Sequence, residues 1–163
     1  MSLQANNYSL FTDTDFKNII GKNLNSILSS EGDGNPAGAF ITYVSVFIKN
    51  YITEQTGKHL FKELKSNSPE GFILKLGRTK GTAFTLTSEQ VEAIKLACVY
   101  QADYIIDNGS PERMSGLSIS SRTAILDKRD LESYKICDIS RAELLGAGLL
   151  YAGIGSGLNA WIK

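Results

Sequence analysis

TSEQVEAIKLACVYQADYIIDNG, residues Thr87–Gly109, is the stretch whose reading decides the fold. Thr87 stands three residues before Gln90, the spacing of a reciprocal capping box at a helix start. Asn108-Gly109 offers the left-handed stop that helix ends favour. Neither Gly nor Pro falls between these signals. Val91, Ile94, Cys98 and Ile105 recur at helical steps and make one apolar stripe. Leu96, Val99, Tyr100 and Ile106 make a second. A helix apolar on two faces is sandwiched between neighbours. The stretch therefore predicts a central packing helix of about six turns. Its few polar residues are Glu92, Lys95, Gln101 and Asp103. Gln101 and Tyr104 read as ordinary helix-surface groups.

Upstream, residues 1–11 read as a flexible arm. Thr12 or Asp13 caps a helix predicted to run to about Leu28, with Phe16, Ile19, Ile20, Leu24, Ile27 and Leu28 as its stripe. Asp13-Thr14-Asp15 has the form of a metal-binding DxD, but acidic residues suit a helix start through the dipole. Ser29–Asn35 is a turn-rich linker. A calcium-loop register fails there, because Phe40 would occupy the position that needs Glu. Pro36 opens a second helix at a favoured first-turn position. This helix is expected to reach about Leu64, broken or kinked at Gly57, with a last turn around Leu60, Phe61 and Leu64. His59, the only histidine in the chain, lacks a second ligand or base nearby and reads as a helix-surface residue. Phe72–Leu76 is a short strand or an extended apolar loop. Gly77-Arg78-Thr79-Lys80-Gly81 is the most basic local patch. It has neither the spacing nor the order of a P-loop. Arg78 and Lys80 are the candidate DNA-facing residues, the alternative being a solvated loop.

Downstream, Gly116–Ser120 alternates apolar and small polar residues, a strand signal. Residues 123–126 pair with it as a hairpin arm or form a loop. Ser140, three residues before Glu143, is the expected cap of a last helix with Leu144, Leu145, Leu149 and Leu150 as its packing face. Gly146, Gly148 and Gly153 miss the spacing of a dinucleotide fingerprint. The fold class that emerges is mainly α: a small helical bundle around one long central helix, with a short β-hairpin or extended loop arm. Residues 1–152 form one helical domain, and residues 153–163 a glycine-rich C-terminal tail. In that tail Leu158, Trp161 and Ile162 put large apolar area on a tether, which folds back on its own core or docks on a partner.

The 163 residues carry 17 basic and 17 acidic side chains, with a pI near 6.6. That balance lacks the basic excess of a dedicated nucleic-acid binder, though not a local basic patch. Cys98 and Cys137 belong to no CxxC pair, so zinc is not expected and free thiols are. The start Met1-Ser2-Leu3-Gln4 has no signal-peptide character. Residues 144–162 are uncharged and of bilayer-spanning length, but Gly146, Gly148, Gly153, Gly155 and Gly157 weaken a helix by roughly 1 kcal/mol each, so no membrane span is expected. No Ser/His/Asp, Cys/His or paired-carboxylate grouping assembles, so neither an enzyme nor a cofactor is expected.

One order of short blocks carries further meaning. Tyr100-Gln101-Ala102-Asp103-Tyr104 is followed by Asn108-Gly109, then by Ser115-Gly116-Leu117-Ser118-Ile119. Ile139-Ser140-Arg141-Ala142 and Ala147-Gly148-Leu149-Leu150-Tyr151 come last. Over residues 86–151 this resembles the head–tail connector adaptor (head-completion) proteins of long-tailed bacteriophages with HK97-type heads. The resemblance implies a structural virion protein, part of the neck and assembled in the host cytoplasm. Its subunits would form a homo-oligomeric ring, commonly twelve-fold, beneath the portal protein. The ring extends the DNA channel, lets DNA pass transiently, and gives a platform for the next connector or tail protein. Leu117, Ile119 and Arg122 would then lie in a loop for neighbour or lumen contacts, and Leu158, Trp161 and Ile162 would dock on the portal. The alternatives are another connector, such as a stopper or tail-end protein, or a small DNA-binding module resting on Arg78, Lys80, Arg113, Arg122 and Arg129.

Overall fold

The computed structural model describes residues 8–28, 35–65, 67, 71–109, 132 and 134–150. Its elements run α1 (Asp13–Ile20), α2 (Leu24–Ile27), α3 (Pro36–Thr56), β1 (His59–Leu64), β2 (Phe72–Gly77), a 3-10 turn (Lys80–Thr82), β3 (Phe84–Thr85), α4 (Ser88–Asn108) and α5 (Asp138–Gly146). The described chain is mainly helical, with one three-stranded antiparallel sheet in the order β1-β2-β3.

Helix α4 begins as its sequence predicts. The Thr87 hydroxyl accepts from the Gln90 N–H, and the Gln90 side chain accepts from the Thr87 N–H. It ends differently: Gly109 lies at φ −106°, not in the left-handed region, while its N–H still donates to the Ile105 carbonyl. Ile94, Ala97, Cys98, Val99, Gln101, Ala102 and Ile105 are fully buried. Helices α1, α3 and α5 all pack on α4. The second apolar stripe is only half-buried at Leu96, Tyr100 and Ile106. Helix α3 matches α4 at 21 residues and contributes Phe40, Val44, Ile48 and Ile52 to the same core.

Two expected helices are shorter than their apolar spacing suggested. Gly21 and Gly57, at φ 86° and 72°, close α1 and α3, a conformation that costs an L side chain about 1–2 kcal/mol. Beyond Gly21 the chain restarts as the single turn α2. The Asp13 carboxylate joins the two pieces, accepting from the Leu24 N–H and the Asn25 side-chain amide. So the DxD triplet serves helix geometry: Asp15 completes the Thr12 capping box and Asp13 staples α1 to α2. Beyond Gly57, Leu60, Phe61 and Leu64 are strand residues rather than a helical turn, and His59 is an exposed strand residue. Register places Leu60 opposite Leu76, Lys62 opposite Leu74 and Leu64 opposite Phe72, so these residues share one face of the sheet. That face meets the core at Leu60, Leu74 and Leu76, which are buried, and leaves Leu64 exposed at its far end.

Residues 8–11, read from sequence as the end of a loose arm, are packed. Leu10 and Phe11 are buried, and the Leu10 N–H donates to the fully buried Ser45 hydroxyl at 2.9 Å. The Lys62 ammonium donates to the Ser9 carbonyl at 2.6 Å and stands 4.4 Å above the Phe72 ring. Burial lowers the Lys62 pKa.

Burial also sets the alkaline limit of the fold. It pushes the Cys98 thiol far above its ordinary 9.0 and the Tyr43 phenol up to about 12, and it raises Tyr8 as well. Each group stays neutral when folded at a pH where the unfolded chain already loses its proton. The stability this gives is complete below the unfolded values and is lost as pH rises from about 9 through 12. Thermal melts stepped from pH 8 to 11 are expected to fall steadily (about the range of ordinary thiol and phenol values). A flat profile would contradict the burial of Cys98.

Candidate functional site

The most elaborate polar arrangement joins α4 to α5. Gln101, read from sequence as a surface residue, is fully buried. Its amide nitrogen donates to the Lys135 carbonyl at 2.8 Å, and its amide oxygen accepts from the Cys137 N–H at 2.8 Å. One side chain thus satisfies the backbone on both sides of residue 136, just before α5 begins. Cys137, not Ser140, caps α5: its sulfur accepts from the Ser140 N–H at 3.5 Å. Ser140 lies in the first turn, fully buried, and its hydroxyl donates to the Ala97 carbonyl at 2.7 Å. The other end of α5 is tied too, because the Gln90 amide donates to the Ala147 carbonyl at 3.3 Å. These ties set α5 antiparallel to α4. Leu144 packs inward and Leu145 is exposed. Leu149 and Leu150 pack after the helix has ended at Gly146.

The described residues flanking 110–131 lie at the same junction. The chain leaves α4 at Gly109, and Glu132 lies back against α4, accepting a hydrogen bond from the Tyr104 phenol. That carboxylate, with burial behind it, pushes the phenol up to about 12. Glu132 also pairs with Lys135 at 2.7 Å. Lys22, just past the end of α1, pairs with Asp103 and Asp107 of α4, at 3.1 and 3.3 Å.

Arg78 and Lys80 are both exposed, on the turn joining β2 to β3. The Thr79 hydroxyl caps that turn by accepting from the Thr82 N–H, and the two threonine hydroxyls lie 2.7 Å apart. Phe84, 49 % exposed, comes next, and the Lys58 ammonium stands 5.7 Å from its ring centre. Neither Phe84 nor Lys58 is singled out by sequence, because only the β1-β2-β3 pairing brings them beside Arg78 and Lys80.

Further concavities lie among the described residues. A cleft of about 250 Å³ lies between Ser9–Thr12, Lys62, Phe72 and the first turns of α4. Its charged lining is already paired in part, with Lys95 at 2.9 Å from Glu92 and 3.9 Å from Asp15. A shallower groove runs along Tyr43, Phe47 and Tyr51 of α3, facing Tyr134 and Ile136. No cluster of three or more His, Cys, Asp or Glu side chains able to hold a metal ion occurs among the described residues. Among the same residues, no helix is long and apolar enough to cross a membrane.

Of the residues singled out from sequence, Leu117, Ile119, Arg122, Leu158, Trp161 and Ile162 lie outside the described residues, as does the strand-like segment 116–126. At the α4–α5 junction, Gln101 and Cys137 are the residues that sequence reasoning misses. Gln101 is one of few polar residues in a two-faced apolar helix, the one signal that could have marked it. No protein-family model, curated protein or solved structure matches this chain.

Proposed function

We propose that this chain is a structural subunit of a bacteriophage neck, an adaptor that oligomerises as a ring beneath the portal. The reading rests on the order of short blocks between residues 86 and 151. One structural observation supports it most: two of those blocks, around Gln101 and around Ser140, pack as one unit. That unit holds the described residues on either side of 110–131, since Gly109 ends α4 and Glu132 accepts from the Tyr104 phenol. A packed unit on both sides of Leu117, Ile119 and Arg122 suits a subunit that meets its neighbour through them. In this reading α4 is the organising helix of the bundle. Leu117, Ile119 and Arg122 contact the neighbouring subunit or the lumen, and Leu158, Trp161 and Ile162 dock on the portal. The next connector or tail protein binds the opposite rim. The even charge balance suits a channel through which DNA slides, since each phosphate contact would add affinity.

The test is the light-scattering mass of the chain alone and then mixed with the portal protein of the same phage. A closed multimer is expected either alone or on the portal, because many interfaces of this kind form by self-complementary or head-to-tail contact. A monomer of 17.8 kDa that ignores the portal would remove the reading.

A further inference from the structure

The turn between β2 and β3 combines four features that act together. From Gly71 to Ser88 the sequence carries Lys75, Arg78 and Lys80 and no carboxylate. Lys75 is spoken for, 3.3 Å from Glu63. Arg78, Lys80 and the neighbouring Lys58 form no ion pair among the described residues. Among the described carboxylates near them in sequence, Glu54, Glu63 and Glu89 pair with none of the three. The turn is also a built one. Thr79 and Thr82 cap it, and Gly77 abuts Ala83 so closely that a methyl group on Gly77 would stand 2.5 Å from the Ala83 Cα. Phe84, half exposed, adds a flat apolar face beside Lys58.

We propose that Lys58, Arg78, Lys80 and Phe84 form a contact surface for the phosphodiester backbone of nucleic acid. In a chain with no net charge, an acid-free turn with uncompensated cations is where anion affinity concentrates. Arg78 can grip a phosphate with two parallel N–H donors, while Lys58 and Lys80 act as point charges. An aromatic face among cations suits nucleic acid better than an acidic peptide, because a sugar or base can lie on it. Three phosphate contacts predict weak, sequence-independent binding. Affinity should fall roughly 40-fold between about 50 and 200 mM salt, at a slope of about −0.9 per contact.

The experiment is a nitrogen-15 NMR titration of the full chain with a short mixed-sequence DNA duplex, repeated with the corresponding single strand. Expected are amide shifts confined to residues 58 and 78–84 with both probes, reversed by added salt. The double variant Arg78→Glu/Lys80→Glu should lose them while its other resonances stay in place. Should the turn itself rearrange in that variant, Arg78→Gln/Lys80→Gln is the milder replacement, and it should weaken binding at least tenfold. Shifts elsewhere, no shifts at low salt, or an equal response to poly-glutamate would overturn the proposal. It stands on surface chemistry and not on the ring reading. A ring that ignores DNA sinks this surface and spares the adaptor; a DNA-binding monomer that ignores the portal does the reverse.

Discussion

Gln101→Leu is expected to destabilise the fold by about 2–4 kcal/mol, the cost of stranding the buried Cys137 N–H and removing the donor of the part-buried Lys135 carbonyl. Leucine fills a similar volume, so the cavity contribution is small and the loss isolates the hydrogen bonds. The Cys137 N–H lies in a buried junction and has the Gln101 oxygen as its partner. The Lys135 carbonyl loses its donor at the same time. Helix α5 starts directly after Cys137, so its first turn should loosen with it. Urea unfolding should show a lower midpoint at an unchanged slope. The melting temperature should fall by roughly 5–15 °C, at about 2–4 °C per kcal/mol for a chain of this size. Gln101→Glu separates the two bonds: it keeps an acceptor for the Cys137 N–H but sets a carboxylate against the Lys135 carbonyl. A loss under about 0.5 kcal/mol in Gln101→Leu, the range of ordinary surface substitutions, would show that the junction is open to water.

This residue also marks where the sequence can and cannot be read. The capping box of α4 is legible because it is complete within four residues, and so are a cap at Thr12 or Asp13 for α1 and the break at Gly57. The strand beyond Gly57 is not legible, because a short apolar run such as Leu60–Leu64 fits a helical turn and a strand equally well. Only its pairing with Phe72–Gly77 decides for the strand. Gln101 reads as a surface residue because its only local mark, a polar side chain in a two-faced apolar helix, fits a surface position as well. Its burial is created by residues 135–137, more than thirty positions away. Cys137 does not read as a cap because thiols are outside the usual set of capping side chains. The basic turn shows the same division. Exposure of Arg78 and Lys80 is readable from composition, whereas Lys58 and Phe84 join them through the sheet.

The sheet depends on one close approach, and Gly77→Ala tests it. Alanine is ordinarily stabilising by about 0.4–1 kcal/mol where the backbone allows it, because the unfolded chain loses freedom. Here the new methyl would stand 2.5 Å from the Ala83 Cα and 3.0 Å from both its Cβ and its nitrogen. A backbone atom cannot swing aside as a long side chain can, so residues 78–83 must move as a body. Three ties oppose that movement: the Lys75–Thr85 and Leu76–Phe84 pairs of β2 with β3, and the Leu86 N–H bonded to the Leu74 carbonyl. The overpacking cost of about 1–3 kcal/mol should therefore exceed the entropic gain. The net loss is expected at about 1–2 kcal/mol, with the strain relieved by detaching β3 from β2. Hydrogen exchange should then speed up at Leu86 and at the β3 amides, while α4, whose cap begins at Thr87, keeps its protection. Nucleic-acid affinity should drop in the same variant although no charge has changed, because Arg78 and Lys80 lose their fixed spacing from Lys58. Unchanged exchange at Leu86 with unchanged stability would mean that the turn has room to spare, and that its shape is not what presents the cations.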